Sequence, residues 1–435
     1  MDYDLTVIGA GWAGINAAKK AKNSQLKVLL IEKQDFGGTC LNRGCIPTKA
    51  LIQSAKIFSQ AKKSTNFGIN LENPRPDFAK IQERKNKIIQ QLASGMQLML
   101  RGIDTLKAEA QILSPNEIKA ADKTIKTKSI VISSGSRPME IGALKFDNKK
   151  IISSDDILSL KEIPKSLLVI GGGVIGCEFA CLFSTFGTEV SIVELTPQLL
   201  PGMGTEIAKK LGTIFKKKRI KVNTNTNANT LDLNDYELTL LCVGRTASTQ
   251  GLGLEKAGVA LEKNKIIVDE YLRTSVPNIY AAGDSTAKIM LAHYAAYQGE
   301  IAGFNAANPT QPQKADNQIV PSCIFTDPEI AAVGLQEEEA KKQNRETEIR
   351  KYDFQGSGMA RIIDETDGFI KIVSDKKSNV VLGASIIGPR ATELIAILSL
   401  AVTNRMKASQ IRDTIFAHPS VSESVSDCFK ENHGI

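Results

Sequence analysis

Residues 4–32, DLTVIGAGWAGINAAKKAKNSQLKVLLIE, decide the fold of the first part of this chain. The pattern is typical of a strand, an Ala-rich helix and a second strand, with glycines at the first turn. Gly9 allows a tight turn, Gly11 lets a pyrophosphate approach the backbone, and Gly14 lets the helix lie close to the strand. Glu32 ends the second strand, where a carboxylate can accept hydrogen bonds from an adenosine ribose. The spacing predicts a dinucleotide-binding βαβ unit.

A second unit of the same kind lies at residues 166–194, SLLVIGGGVIGCEFACLFSTFGTEVSIVE. Its glycines, Gly171, Gly173 and Gly176, again separate a strand from a helix. Glu194 again ends the following strand, and the residues after it, LTPQLL, include no Arg or Lys that could pair with a 2′-phosphate. The repeat therefore predicts a second dinucleotide site, and the residues after Glu194 favour NAD over NADP.

A cysteine pair follows the first unit, in GGTCLNRGCIPTKA at residues 37–50. Pro47 stands two residues after Cys45, where a proline is tolerated in the first turn of a helix. Cys45 is therefore predicted to lie at a helix N-terminus, where free amide groups and the helix dipole stabilise a thiolate. Such a thiolate can reduce an oxidised flavin, and Cys40 can exchange with a disulfide substrate. Two structural thiols or half of a metal site are the alternatives; further ligands are lacking nearby, so no metal is expected.

The segment AHPSVSE at residues 417–423 carries one of the three histidines of the chain, His418. Glu423 follows five residues later, and a turn can bring its carboxylate to an imidazole nitrogen. A carboxylate-oriented imidazole is a general base suited to proton transfer near neutral pH. A His-Pro turn alone is more often structural, but dithiol chemistry needs a proton acceptor, which favours a catalytic His418.

Composition limits the class of protein. A chain of 435 residues with 42% hydrophobic and 23% charged residues predicts a globular protein of about two to four domains. It has no apolar run of about eighteen residues and no secretion or transit signal, so we expect a soluble, cytoplasmic protein without a membrane partner. The lysines behind the net charge of +8 are scattered along the chain, so no nucleic-acid partner is expected either.

The order of the predicted elements gives an α/β fold class with two Rossmann-like domains and a C-terminal α+β module. The first domain is predicted to comprise residues 1–147 and 275–312, because VPNIYAAGDS at 276–285 resembles a return to it. The second domain is predicted at residues 148–274. The strands FIKIVSD and VVLGASIIG and the helix ATELIAILSLAVTNR belong to the third module, predicted at 313–435.

With these motifs, the chain resembles the dihydrolipoamide dehydrogenases of the pyridine nucleotide–disulfide oxidoreductase family, which also includes glutathione, trypanothione and mercuric reductases. The resemblance runs nearly end to end, and GGTCLNRGCIP is its most specific motif. It implies that the first domain binds FAD, the second binds NAD, and the third forms a homodimer that sends His418 and Glu423 into the partner's active site. The implied reaction oxidises dihydrolipoamide on the lipoyl domain of a 2-oxo acid dehydrogenase complex or of the glycine cleavage system.

The resemblance also implies roles for single residues. Cys45 would face the flavin, Cys40 would exchange with substrate, and Lys49 and Glu178 would pair near the flavin ring. The FAD contacts would comprise Gly9, Gly11, Gly14, Glu32, Gly38, Thr39, Lys49, Gly135, Asp284, Met290, Leu291, Ala292 and His293. The NAD contacts would comprise Gly171, Gly173, Gly176, Glu178, Glu194 and Gly244.

Four departures from the family pattern accompany the resemblance, and in one of them CVGR is followed by TAST rather than by a proline-containing turn. Residues 221–243 form a shorter segment than usual, which predicts that a β-hairpin of the NAD-binding domain is missing. Phe416 stands where a further histidine is common, and SSGS at 133–136 replaces ATGS.

Three alternative functions stay open at this stage. An NADPH-driven disulfide reductase would need basic residues after the second glycine motif. A mercuric reductase would be expected to end in a cysteine pair, whereas Cys428 stands alone near this C-terminus. A flavoprotein kept as a structural or binding subunit is the alternative from another class.

Overall fold

The computed structural model describes residues 1–142 and 144–430. Its α-helices in that range are α1 Trp12–Asn23, α2 Gly38–Arg43, α3 Cys45–Lys62, α4 Phe78–Met99, α5 Val174–Phe186, α6 Thr205–Lys217, α7 Ala292–Ala307, α8 Glu337–Lys342, α9 Gly358–Ile362, α10 Ala391–Thr403, α11 Ala408–Arg412 and α12 Glu423–Asp427.

The β-strands of the described residues form three large sheets and two short ribbons. They are β1 Tyr3–Ile8, β2 Val28–Glu32, β3 Asp104–Lys107, β4 Ala110–Ser114, β5 Glu117–Ala120, β6 Lys123–Ile132, β7 Ser136–Pro138, β8 Ile151–Ile152, β9 Ser166–Ile170, β10 Glu189–Val193, β11 Lys221–Asn223, β12 Leu238–Leu241, β13 Arg245–Ala247, β14 Leu261–Glu262, β15 Lys265–Ile266, β16 Ile279–Ala281, β17 Ser322–Ile324, β18 Glu329–Gly334, β19 Thr347–Asp353, β20 Phe369–Asp375 and β21 Val381–Gly388.

The first sheet has the order β3-β2-β1-β6-β5-β4, and β16 pairs with β6. The pairs that involve β1, β2, β3 and β16 are parallel, whereas β4, β5 and β6 pair antiparallel. Every residue of β2, VLLIE, is buried, as expected for a parallel strand that is covered on both faces. Because β16 follows the strands of the second sheet in sequence, the chain leaves the first sheet and returns to it.

Helices α1 and α7 pack closely in the core beside β1 and β2. A Cβ atom added to Gly299 would lie 2.1 Å from the carbonyl oxygen of Ala13, and one added to Gly303 would lie 2.3 Å from that of Ala17. The two helix backbones therefore touch, which only glycine permits at these positions. This contact fixes α1, and with it the glycine turn at its N-terminus.

The second sheet is parallel throughout, with the order β11-β10-β9-β12-β8. The segment from β11 to β12 contains two short 3-10 turns, Ala228–Thr230 and Leu233–Asp235, and residues 224–237, all of which are described, contain no strand. The predicted lack of a hairpin is therefore confirmed. Apolar side chains of these turns, including Ala228, Leu231 and Leu233, instead pack against the sheet.

The third sheet, β17-β18-β21-β20-β19, is antiparallel throughout. Leu394 and Leu398 of α10 lie in its core, so this module is α+β as predicted. The ammonium group of buried Lys371 joins the module to α6, because it lies 3.0 Å from Glu206 and 3.1 Å from Glu337. The predicted fold class is confirmed.

Within the described part of the chain, no helix has both the length and the apolar character needed to cross a bilayer.

Candidate active site

The first glycine turn has the geometry that its spacing predicts. Gly9 has a φ of +98°, which favours glycine, and a Cβ atom added to Gly14 would lie 1.8 Å from the carbonyl oxygen of Gly9. The carboxylate of Glu32 accepts hydrogen bonds from the backbone N–H of Ala10 and of Gln34, both at 2.7 Å. Glu32 therefore braces the turn itself, a role that the sequence analysis missed.

The second glycine turn repeats this arrangement. Gly171 has a φ of +110°, and a Cβ atom added to Gly176 would lie 2.0 Å from its carbonyl oxygen. The carboxylate of Glu194 accepts hydrogen bonds from the N–H of Gly172 at 2.6 Å and of Thr196 at 2.7 Å. In both units, therefore, the carboxylate at the end of the second strand stabilises the glycine turn by accepting hydrogen bonds from backbone N–H groups.

The cysteine pair lies on two short consecutive elements. Cys40 is on α2 and Cys45 is the first residue of α3, so the predicted helix N-terminus is confirmed. A hydrogen bond with Cys40 and the positive charge of Lys49 lower the pKa of Cys45 to about 7. The same hydrogen bond and partial burial raise the pKa of Cys40. The two thiols therefore differ in ionisation, and Cys45 carries the thiolate.

The predicted pair of Lys49 and Glu178 forms next to the thiols. The ammonium group of Lys49 lies 3.0 and 2.8 Å from the two carboxylate oxygens of Glu178, which is buried. The N–H of Phe325 donates to the same carboxylate at 2.9 Å, and the Lys49 ammonium lies 4.7 Å from the centre of the Phe325 ring. All three modules therefore meet at this ion pair, since α3, α5 and the start of the third module each contribute one residue.

His418 and Glu423 pair with each other in the third module. Nδ1 of His418 lies 2.9 Å from a carboxylate oxygen of Glu423, and the imidazole is 80% exposed. The hydrogen bond with His418 lowers the pKa of Glu423. An ionised, oriented carboxylate beside an exposed imidazole is the arrangement of a general base. The structure therefore places the imidazole of His418 on the surface.

Asp284 is connected by hydrogen bonds to one residue of the first dinucleotide unit and, through it, to one residue of the second. The hydroxyl of Ser136 donates to Oδ2 of Asp284 at 2.5 Å and accepts from Nε of Arg245 at 2.8 Å. Neither Ser136 nor Arg245 was predicted as a site residue. The only sequence signal was the basic residue directly after Gly244 in CVGR.

The other predicted contact residues lie around the first turn and at two loops. Gly38 approaches the first turn, since a Cβ atom added to it would lie 2.8 Å from the Cα of Gly11. Leu291 caps the N-terminus of α7, and Nε2 of His293 lies 2.8 Å from the carbonyl oxygen of Pro321. Three further predicted residues, Thr39 at the start of α2, Met290 before α7 and Ala292 at its first turn, are placed at helix N-termini.

Comparison with protein families identifies the class of protein to which this chain belongs. A pyridine nucleotide-disulphide oxidoreductase model matches residues 3–299, and the dimerisation domain of the same group matches residues 320–428. The chain belongs to the pyridine nucleotide–disulphide oxidoreductase family. The resemblance inferred from its motifs is thereby confirmed.

Individual relatives agree with the family assignment. The chain is 38% identical to the dihydrolipoyl dehydrogenase of Chlamydia pneumoniae over 441 residues, which cover 97% of this chain and 95% of the relative. It is 38% identical to the same-named protein of Geobacillus stearothermophilus over 447 residues, with 97% and 94% covered. The solved structure of the HOCl-induced flavoprotein disulfide reductase RclA from Escherichia coli is similar with a TM-score of 0.88 and 28% identity, covering 98% of this chain and 99% of that one.

As a member of this family, the protein is an NAD-dependent FAD disulfide oxidoreductase. The residues at the first turn fit FAD. Positions 11 and 135 leave open space where a side chain would stand, and the buried hydroxyl of Ser134 has no hydrogen-bond partner among the described residues. An orphaned polar atom beside an open glycine turn at a helix N-terminus suits a dinucleotide pyrophosphate.

The second turn fits NAD by the same test. A Cβ atom at Gly173 would meet nothing within 4 Å, so the backbone at the N-terminus of α5 is open to a pyrophosphate. Gly244 has a φ of +120° on the neighbouring loop. Both cofactors of the family can therefore be assigned to sites that this chain builds.

Proposed function

We propose that this enzyme oxidises dihydrolipoamide carried on a lipoyl-bearing protein and uses NAD as the electron acceptor. The position of the cysteine pair carries the proposal, because Cys45 begins α3 one turn before Lys49, and its pKa is lowered to about 7 while that of Cys40 is raised. The names of relatives at 38% identity support this substrate. The missing basic residues after Glu194 support NAD.

The chemistry of the thiols follows from their positions. In the oxidised enzyme the two sulfurs are joined, and a substrate thiolate attacks the sulfur of Cys40 while Cys45 leaves as the thiolate. The lower pKa of Cys45 makes it the better leaving group. The second substrate thiol then displaces Cys40, so that the substrate gains its disulfide and the enzyme gains two electrons. Bound FAD supplies the two-electron chemistry that links this dithiol to NAD.

We assign proton removal from the substrate thiols to His418, oriented by Glu423. The exposed imidazole and the match to a dimerisation domain support a homodimer in which this base serves the partner's cysteine pair. The ion pair of Lys49 and Glu178 holds the ammonium group of Lys49 near Cys45, where its positive charge lowers the pKa of the thiol. We also propose that Glu178 contacts NAD and that Asp284 and the turn before α7 contact FAD. The proposed FAD-binding domain comprises residues 1–147 and 275–312, the NAD-binding domain residues 148–274, and the dimerisation domain residues 313–435.

A steady-state assay tests this function. Reduction of NAD by dihydrolipoamide should exceed reduction of NADP, and Cys45→Ser should lower the turnover by at least ~1000-fold, because the leaving thiolate is lost. Cys428→Ser is the matched control, since that buried thiol hydrogen-bonds to the carbonyl oxygen of Ile370 in the third module. Its turnover should stay within about twofold of the parent enzyme.

Three outcomes would contradict the proposal. Unchanged turnover in Cys45→Ser would remove the dithiol mechanism. Faster turnover of oxidised glutathione with a reduced nicotinamide than of dihydrolipoamide with NAD would favour a disulfide reductase instead. A flavin-containing protein that reduces neither nucleotide would point to a binding subunit.

A further inference from the structure

The geometry points to Arg245 as a positioning residue of the flavin site, which acts through Ser136 on Asp284. The inference rests on the proposed role of Asp284 as an FAD contact. Arg245 begins β13, after the last strand of the second sheet in sequence, whereas Ser136 and Asp284 follow strands of the first sheet. A side chain of one unit therefore sets the orientation of a carboxylate that belongs to the other.

The hydroxyl of Ser136 has its hydrogen-bonding capacity fixed by two charged neighbours. It donates its only proton to Oδ2 of Asp284 at 2.5 Å, and it accepts from Nε of Arg245 at 2.8 Å. A second guanidinium nitrogen of Arg245 donates to the carbonyl oxygen of Ser136 at 2.8 Å. Two nitrogens of the guanidinium thus donate to the two oxygens of Ser136. Because the hydroxyl oxygen already accepts from Arg245, its proton is directed toward Asp284.

The backbone around this relay is held without the Arg245 side chain. Strands β7 and β13 pair antiparallel, with Arg245 opposite Pro138. The ribbon continues on both sides, because Ser248 N–H donates to Gly135 O at 2.9 Å and Met139 N–H donates to Gly244 O at 3.1 Å. The guanidinium is therefore not needed to join the strands, and its contacts are left to orient Ser136 and Asp284.

The relay determines what Asp284 can offer to a ligand. Oδ2 receives the proton of Ser136, and no donor among the described residues hydrogen-bonds to Oδ1, so Oδ1 can accept a hydrogen bond from a ligand hydroxyl. The Gly283 N–H before it donates to the buried amide oxygen of Gln298 at 2.8 Å, so the backbone of this turn is also fixed. Because both the side chain and the backbone turn are fixed, Asp284 loses less conformational entropy on binding a ligand than a mobile aspartate would.

The test measures release of FAD from the holoenzyme, followed by the rise of flavin fluorescence after dilution. Ser136→Ala and Arg245→Met should each release FAD about tenfold faster, because the first removes the hydroxyl that binds Asp284 and the second removes the guanidinium that orients this hydroxyl. Ser136→Thr keeps the hydroxyl and should restore slow release, whereas Arg245→Lys should restore it only partly. The double variant Ser136→Ala with Arg245→Met should be no faster than either single variant, since both cut one relay.

Arg137 provides the matched control. It lies on the same ribbon opposite Thr246, but its guanidinium contacts Gln250 at 3.1 Å on the surface. Arg137→Ala should therefore release FAD within about twofold of the parent rate.

Several results would overturn the inference: unchanged release in Ser136→Ala, equal release from Ser136→Thr and Ser136→Ala, or additive effects in the double variant. If a variant folds poorly, the comparison of the alanine and threonine variants still decides. FAD release is measured without dihydrolipoamide, so the two proposals can fail separately. If the variants change FAD release as expected but the enzyme does not oxidise dihydrolipoamide, only the proposed function is refuted.

Discussion

The two dinucleotide units share one construction. In each, the first glycine has a positive φ, of +98° at Gly9 and +110° at Gly171, and a carboxylate at the end of the next strand accepts two backbone N–H groups. Glu32 and Glu194 therefore brace equivalent turns. This similarity indicates that steric contacts and hydrogen bonds within the chain determine the conformation of the turn.

The units differ in the side chain that ties the turn to the neighbouring strand. In the first unit the hydroxyl of Ser133 donates to the carbonyl oxygens of Ile8 and Gly9 at 3.0 and 2.8 Å. In the second unit the thiol of Cys242 donates to Ile170 and Gly171 at 3.3 and 3.5 Å. A thiol is a weaker donor than a hydroxyl, so the first turn is held more firmly.

The units also use cysteine in opposite ways. The pKa of Cys45, beside the first turn, is lowered to about 7, whereas burial raises the pKa of Cys181 to about 11 and that of Cys242 to about 12. The difference teaches that the reactivity of a thiol comes from its surroundings. A hydrogen bond with Cys40 and the nearby ammonium group of Lys49 lower the pKa of Cys45, whereas burial raises the pKa of the other two thiols.

The largest effect is expected from closing either turn with a methyl group. In Gly14→Ala the new Cβ would lie 1.8 Å from a backbone oxygen, so the first turn must open and we expect a protein that retains no FAD. In Gly176→Ala, with a contact of 2.0 Å in the second turn, we expect a yellow protein whose affinity for NAD falls at least ~100-fold. Flavin absorbance after purification and NAD titration check both results.

Helical glycines with open surroundings serve as controls for this pair. A Cβ atom at Gly95 of α4 or at Gly212 of α6 would meet nothing within 4 Å. Alanine at either position should keep both cofactors and stabilise its helix by about 0.5–1 kcal/mol. Loss of FAD in Gly176→Ala would show that the two turns are not independent. Retention of FAD in Gly14→Ala would show that the first turn tolerates a methyl group at this position.

The turns could be predicted from the sequence because few residues can replace glycine where φ is positive or where two backbones touch. The position of Cys45 followed from Gly44 and Pro47, since the signals for a helix start are local. The pairing of Lys49 with Glu178 came from family resemblance, because its partners are distant in the chain and no local pattern links them.

The parts that sequence analysis missed depend on distant contacts. Phe325 reaches the Lys49–Glu178 pair from the third module, and Arg245 reaches Ser136 across two units. No periodicity or spacing predicts which side chains meet when separate sheets pack. The bracing by Glu32 was missed for another reason, because a carboxylate at a strand end has the same sequence signal whether it binds a ribose or a backbone amide.

A smaller effect is expected from thiol alkylation, which tests the contrast between the cysteines. In the dithiol-reduced enzyme, iodoacetamide should modify the Cys40–Cys45 pair at least ~100-fold faster than Cys181 or Cys242, because thiols react as thiolates. A thiolate forms as pH rises through its pKa, so the rate should increase with pH and reach half its maximum near pH 7. Mass spectrometry of the labelled peptides identifies the sites.

Lys49→Met sharpens this alkylation measurement. Loss of the ammonium group removes a charge that lowers the pKa of Cys45, so the midpoint of the pH profile should move upward. Lys56→Met is the control, since the Lys56 ammonium pairs with Glu365 at 3.6 Å in the third module. A midpoint that stays near pH 7 in Lys49→Met would assign the activation to the helix N-terminus and to Cys40 alone.

The smallest effect is expected from exchanging the donors that tie each turn to its neighbouring strand. Ser133→Cys puts a weaker donor beside the first turn and should lower the free energy of unfolding by about 0.5–1 kcal/mol, with earlier thermal release of FAD. Cys242→Ser keeps a donor of similar size at the second turn and should change the unfolding free energy by less than about 0.5 kcal/mol without affecting FAD release. Thermal unfolding with tryptophan and flavin fluorescence separates the two events. Equal losses from both exchanges would mean that the shape of the turn, rather than the strength of its donor, distinguishes the two units.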